Sequence, residues 1–260
     1  AMNDDMRPIR AGFVGFGEVN TPREFITARC EAAAKLLRDQ GVELVAAGPV
    51  ADDPGGEQAA RAVRELKARE FDLLVLCVAG WIPSWAVLAV ADAFRHKPIL
   101  LWGLTGWREG ERWVTTADQA GTTALRAPLE RMGYTFKYVV TYREQPPRME
   151  AVMSYARAAR AAALLRGAKL GMAGYRDMRL YGTMYDGVSL RSAIGPEIEH
   201  FDLLELKQLM DAVAPAEVES LGRDVAARWR FLKHPREGTA ENSVRLHRAM
   251  RSKIEERGYD

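Results

Sequence analysis

The chain is short of the residues that most readily announce chemistry. Its 260 residues include two cysteines, Cys30 and Cys77. Each falls inside an apolar pattern, one helical and one strand-like, where a thiol reads as a small core residue rather than a ligand or redox centre. That usage points to a reducing, cytoplasmic setting. The four histidines, His96, His200, His234 and His247, show neither HxxxH nor HExxH spacing, which makes them weak metal ligands. Charge of one sign is lacking as well. Thirty-seven basic residues against 35 acidic leave a net +2, too balanced to imply nucleic acid or an anionic membrane as partner. No apolar run reaches membrane-spanning length, because the longest, 85–94, is interrupted by Asp92. The dinucleotide fingerprint fails where Asn20 stands in place of the third glycine after Gly15 and Gly17. A phosphate loop GxxxxGK(S/T) and a nucleophile elbow GxSxG are both absent.

What is present is a soluble, globular composition, 48% apolar and 28% charged. From residue 9 short β runs alternate with helical patterns, the signature of parallel βαβ units. Strands are expected at 9–17, 44–47, 71–78, 98–102 and 135–140. Helices are expected from Thr21 and Pro22 to Gly41, then over 57–70, 83–94 and 118–132, with Thr21 as a cap and Pro22 at the first helical position. The run LLVLCV in the third strand suits burial on both faces. Five strands with four or five helices predict a flavodoxin-like doubly wound parallel sheet over residues 8–145. An alanine-rich helix at 149–166, within a connecting segment 146–168, leads to a second α/β domain over 169–260. There, strands at 169–173 and 197–201 precede helices at 203–213, 216–231 and 239–257, with Asp202 as a helix cap. Two strands against three helices leave that second sheet unfinished, so the domain is expected to be incomplete.

Chemistry is expected in two places. The exits of the first, third and fourth strands, FGEVNTPRE, AGWIPSW and WGLTGWRE, supply Glu18, Asn20, Thr21, Arg23, Trp81, Trp107 and Arg108. Indole faces beside arginine, amide and carboxylate groups suit a polyhydroxylated ligand, whose C–H faces stack while its hydroxyls exchange hydrogen bonds. The second place is the segment 169–201, KLGMAGYRDMRLYGTMYDGVSLRSAIGPEIEHF. It crowds Tyr175, Arg176, Asp177, Arg179, Tyr181, Tyr185 and Asp186 into the exit of a strand, where open α/β sheets place ligand contacts. Of the histidines only His200, after Glu199 at the end of a strand candidate, belongs to this group.

These residues resemble the N-terminal half of the L-fucose and L-arabinose isomerase family, most clearly L-fucose-isomerase-like proteins. The likeness rests on TPREF after the opening strand, CVAGW after the third, LLWGLTG after the fourth, and GMAGYRDMRLYGTMYDGVSLRSAIGPEIEHFDLLEL, and it spans nearly the whole chain. It implies a three-domain protein whose third domain is absent here. It also implies aldose–ketose interconversion with a divalent metal, usually manganese, through an enediol. The metal and the catalytic base are expected beyond Asp260, so this chain alone is expected to bind no metal and to be inactive. The resemblance also implies a homo-oligomer, trimer or hexamer when complete. In such an assembly the first domain closes a neighbour's site, with Arg23 and Trp81 touching the sugar substrate and Tyr175 to Tyr185 lining the second domain's side. The alternative is a stand-alone sugar-binding or assembly module without catalysis.

Overall fold

A computed structural model describes residues 7–142 and 145–260. They form two compact units, Arg7–Ala163 and Leu164–Asp260.

In the first unit the strands are β1 (Arg10–Phe16), β2 (Glu43–Val50), β3 (Leu73–Val78) and β4 (Ile99–Leu104). A short hairpin of β5 (Trp107–Glu109) and β6 (Arg112–Val114) follows, and then β7 (Phe136–Thr141). The five long strands form one sheet in the order β2-β1-β3-β4-β7, every neighbouring pair parallel. With the hairpin set aside as an excursion, that is the 2-1-3-4-5 order of a flavodoxin-like doubly wound sheet. All six residues of β3 are buried, as expected of a central parallel strand covered on both faces.

Among the described residues six helices belong to this part: α1 (Arg23–Asp39), α2 (Glu57–Leu66), α3 (Ser84–Ala91), α4 (Asp118–Ala124), α5 (Arg126–Arg131) and α6 (Met149–Gly167). Side chains alternate between the faces of each strand, so the core divides in two. Phe16, Leu74 and Leu101 pack with Leu66 of α2, Val87 of α3 and Leu129 of α5. Phe13, Val75, Leu100 and Trp102 pack with Ile26, Cys30 and Leu37 of α1 and with Val152 and Met153 of α6. The helix expected to connect two domains thus spends its first turns in the core of the first unit. Trp102 is wholly buried, and its indole N–H donates to Thr141 Oγ1 at 2.9 Å, so burying it strands no polar group.

Three local expectations change. Thr21 is not the cap of α1: Pro22 occupies that position, makes no side-chain cap, and Thr21 is buried beside it. The single helix expected at 118–132 is two, because Pro128 has no N–H for the Ala124 carbonyl and its ring crowds that carbonyl. The exit of the fourth strand folds into the β5–β6 hairpin, turning at Gly110, whose φ of 60° lies in the left-handed region.

The second unit is built on β8 (Lys169–Ala173) and β9 (Glu197–Phe201), a parallel pair in register from Lys169 opposite Glu197 to Ala173 opposite Phe201. Its helices are α7 (Gly187–Ala193), which was not anticipated, α8 (Leu203–Ala212), α9 (Pro215–Arg228) and α10 (Thr239–Arg257). Asp202 caps α8 in a reciprocal capping box with Glu205. Gly171 lies under the Tyr259 ring so closely that a Cβ there would stand 2.3 Å from it, and Tyr259 stacks on Phe201 at 6.1 Å. Among the described residues no helix is long and apolar enough to cross a membrane.

Candidate functional site

The crossovers of the first sheet reverse direction between β1 and β3, and the carboxyl ends of those strands are where such a sheet opens a crevice. There the Glu18 N–H donates to the Trp81 carbonyl at 2.8 Å, and the Trp81 N–H donates to Thr116 Oγ1 at 3.2 Å. The chain is kept thin at this point. A Cβ on Gly80 would meet Ile26 Cδ1 at 2.8 Å and the Gly17 backbone at 3.4 Å.

Beside this junction lies an open depression of about 450 Å³ whose lining includes Glu18, Thr21, Arg23, Pro49, Ala51 and Gln58. The expected residues Glu18, Thr21 and Arg23 are therefore brought together, with Arg23 exposed at the rim. Their partners from the exit of β2 had not been singled out. Asp52 holds the loop by accepting from the Val19 N–H at 2.8 Å, and Asp53 accepts from the Glu57 N–H at 2.7 Å at the start of α2. The signal was present in DDPGG, since aspartates ahead of a Pro-Gly turn are placed to accept from nearby backbone N–H groups.

Trp107 and Arg108 lie elsewhere. The Trp107 ring packs on Phe25 at 4.1 Å, and the Arg29 guanidinium sits 5.5 Å from both rings. Burial lowers the pKa of Arg29, while Asp118 opposes that shift. Asp118 is itself buried and accepts from the Gly106 N–H at 2.9 Å, pinning the exit of β4. Arg108 lies 5.7 Å from the Trp113 ring and donates to the Gly110 carbonyl within the hairpin. Asn20 is exposed.

In the second unit the crowded segment folds into two neighbouring parts. Tyr175 leaves β8 through Gly174, whose φ is 75°, and Tyr185 precedes α7. Their rings lie 6.1 and 5.6 Å from the His200 imidazole on β9, and the Tyr185 hydroxyl hydrogen-bonds His200 Nε2. These three side chains line an open depression of about 780 Å³, together with Arg191 and Glu197, which pair with each other, and Ile198. Asp186 is committed to structure. It accepts from Ser189 Oγ at 2.5 Å and from the Val188 N–H at 3.0 Å, and those bonds hold its carboxyl below the usual carboxylate range.

The remaining expected residues form an exposed turn. Arg176 stacks 4.5 Å over the Tyr181 ring and donates to the Arg179 carbonyl, and the Asp177 N–H donates to Thr183 Oγ1 at 3.2 Å. Met178 and Arg179 both have positive φ, 43° and 61°, an uncommon pair for residues with side chains.

Among the described residues no group of three or more His, Cys, Asp and Glu side chains is placed to hold a metal ion. The donors present therefore do not fit the cation that the family resemblance implies, and no chemical step is derived through it. The arrangement offers two tyrosine faces, a phenol–imidazole pair and an ion pair around one opening, a set that stacks and hydrogen-bonds rather than ligates. The first unit is a flavodoxin-like doubly wound α/β fold. Comparison with known proteins gives no match to any family model and none to a curated protein.

Proposed function

We propose that this chain is the sugar-facing portion of a metal-dependent aldose–ketose isomerase-like protein. On this reading it contributes walls of the substrate site and contacts in a homo-oligomer, while manganese and the catalytic base belong to a further part of the protein. The observation that carries the reading is the convergence of Tyr175, Tyr185 and His200 on one opening that runs along β9 beside the start of α7. Tyrosine rings offer apolar faces to sugar C–H groups, and the phenol and imidazole exchange hydrogen bonds with hydroxyls. The depression holding Glu18, Thr21 and Arg23 in the first unit is a separate polar opening, which on this reading faces the substrate of a neighbouring subunit.

The test is a titration of the chain with a panel of aldoses and ketoses, followed by amide and imidazole NMR shifts. Open, half-formed walls predict weak binding, with Kd on the order of 1 mM, or about −4 kcal/mol. Tyr175→Ala should weaken it severalfold without unfolding the protein, since the side chain is exposed. If no sugar in the panel shifts the His200 signals, the reading is removed. Aldose–ketose exchange by this chain alone would contradict its non-catalytic part. Tight sugar binding by a monomer, with Kd on the order of 1 μM or below, would instead favour a stand-alone binding module.

A further inference from the structure

The two-stranded sheet of the second unit carries a directional vacancy. In the β8–β9 pair the Glu197 N–H donates to the Ala168 carbonyl and the Gly174 N–H to the Phe201 carbonyl, at 3.0 and 2.9 Å. Backbone groups alternate between the edges of a strand, so the even-numbered residues of β8 serve β9, and Lys169, Gly171 and Ala173 point to the opposite edge. The first of these is already engaged by Asp260, through one backbone and one side-chain hydrogen bond. The Asp260 N–H donates to the Lys169 carbonyl at 2.9 Å, and the Lys169 N–H donates to the Asp260 carboxylate at 2.9 Å. Among the described residues no strand pairs with Gly171 or Ala173 along that edge.

The helices are distributed as a third strand would require. Tyr259, Lys253 and Arg257, in and just after α10, meet Gly171, Phe201 and Glu199 on one face of the sheet. The opposite face holds Ile198 and His200, and α7 lies there with Val188 and Arg191 beside them. Right-handed crossovers on opposite faces run in opposite directions across a sheet. With β9 on one side of β8, the crossover through α8, α9 and α10 returns to the other side. Leu170, 41% exposed on the face of Ile198, is left for that addition to cover.

We propose that the outer edge of β8 accepts a third, parallel strand that continues directly from Asp260, giving the second unit the strand order 2-1-3. The Lys169–Asp260 bond is its first rung, the Gly171 and Ala173 backbone groups supply the next, and the switch point then falls beside Tyr175.

The test compares the chain as it stands with a version extended past Asp260 by a short stretch alternating valine and threonine. A control carries proline at the second added residue, where an N–H must meet the Gly171 carbonyl. Amide exchange at Gly171 and Ala173 should slow at least about tenfold in the extended protein, and the proline control should lose the gain. Unchanged exchange with the extension would overturn the proposal. So would equal slowing by the same peptide added in trans, or concentration-dependent slowing in the unextended chain. Those two results assign the edge to a separate strand or to a second copy.

Discussion

The backbone N–H of Glu18 donates to the carbonyl of Trp81 at 2.8 Å, closing the exits of β1 and β3 over the point where the crossovers of the first sheet reverse. The approach depends on Gly80, where a Cβ would press on Ile26 Cδ1, Thr116 Oγ1 and the Gly17 backbone at 2.8, 3.3 and 3.4 Å. Ile26 is 3% exposed and has little room to yield. Gly80→Ala is expected to destabilise the first unit by about 1–3 kcal/mol, the usual range for overpacking a tight site. Urea unfolding followed by tryptophan fluorescence measures it. A variant as stable as the parent would show that the two exits are not locked together.

Much of this first unit was legible before any coordinates, and the reason is periodicity. Runs such as LLVLCV and PILLW have no polar interruption, so both faces must be covered, and that alone implies parallel strands between layers of helices. The boundaries of β8, β9 and α10 and the Asp202 cap were equally plain. The β5–β6 hairpin was not, because its strands are three residues each and too short to show alternation. The candidate site was half legible. Residue types placed Glu18, Thr21, Arg23 and Tyr175 correctly at strand exits, but the packing of Trp107 on Phe25 depends on which way a loop turns. The convergence of Tyr185 and His200 depends on α7, whose seven-residue sequence GVSLRSA is too short to carry much helical signal beyond its Asp186 cap.

The buried indole of Trp102 tests the polar satisfaction of the core. Its N–H has Thr141 Oγ1 as acceptor at 2.9 Å, at the outer strand of the sheet. Thr141→Val keeps the shape and removes the acceptor. A buried donor left without a partner costs about 1–3 kcal/mol, so the variant should unfold at correspondingly lower urea. Thr141→Ser, which retains an oxygen, should recover most of the loss. Equal stability of all three proteins would mean that the indole is satisfied in some other way.

Alkaline pH should weaken the first unit through its tyrosines. Burial, with a hydrogen bond to the Asp92 carboxylate, raises the Tyr134 pKa to about 12, and burial raises that of Tyr155 to about 12. Both ordinary values are 10.0, so the native state favours the neutral phenols. Their contribution is complete below pH 10 and is lost as pH rises towards 12. Urea midpoints between pH 9 and about 12 should therefore fall, and Tyr134→Phe should reduce the slope without abolishing it, because Tyr155 remains. A slope indifferent to Tyr134→Phe would assign the whole effect to other groups.

The second unit holds its helices with a buried cation, and the order of two substitutions reveals how. The side chain of Lys253 is 3% exposed and its ammonium lies 2.6 Å from Glu205 Oε2 and 5.7 Å from the Phe201 ring. The hydrogen bond from Lys253, reinforced by the Asp202 N–H, holds the Glu205 carboxyl below its ordinary value of 4.5. The lowered value means that this contribution is present above pH 4.5 and disappears as pH falls below it. At neutral pH, Glu205→Gln leaves the ammonium with the longer contact to Glu256 at 3.6 Å, whereas Lys253→Met removes the charge and keeps an apolar stem. Glu205→Gln is therefore the more damaging change, and it should also flatten the loss of stability between pH 5 and about 3. Urea unfolding of the two variants at pH 7 and at pH 4 decides the matter. If Lys253→Met were the worse at pH 7, the ammonium would be stabilising the packing of α8 and α10 in its own right, with Glu205 incidental.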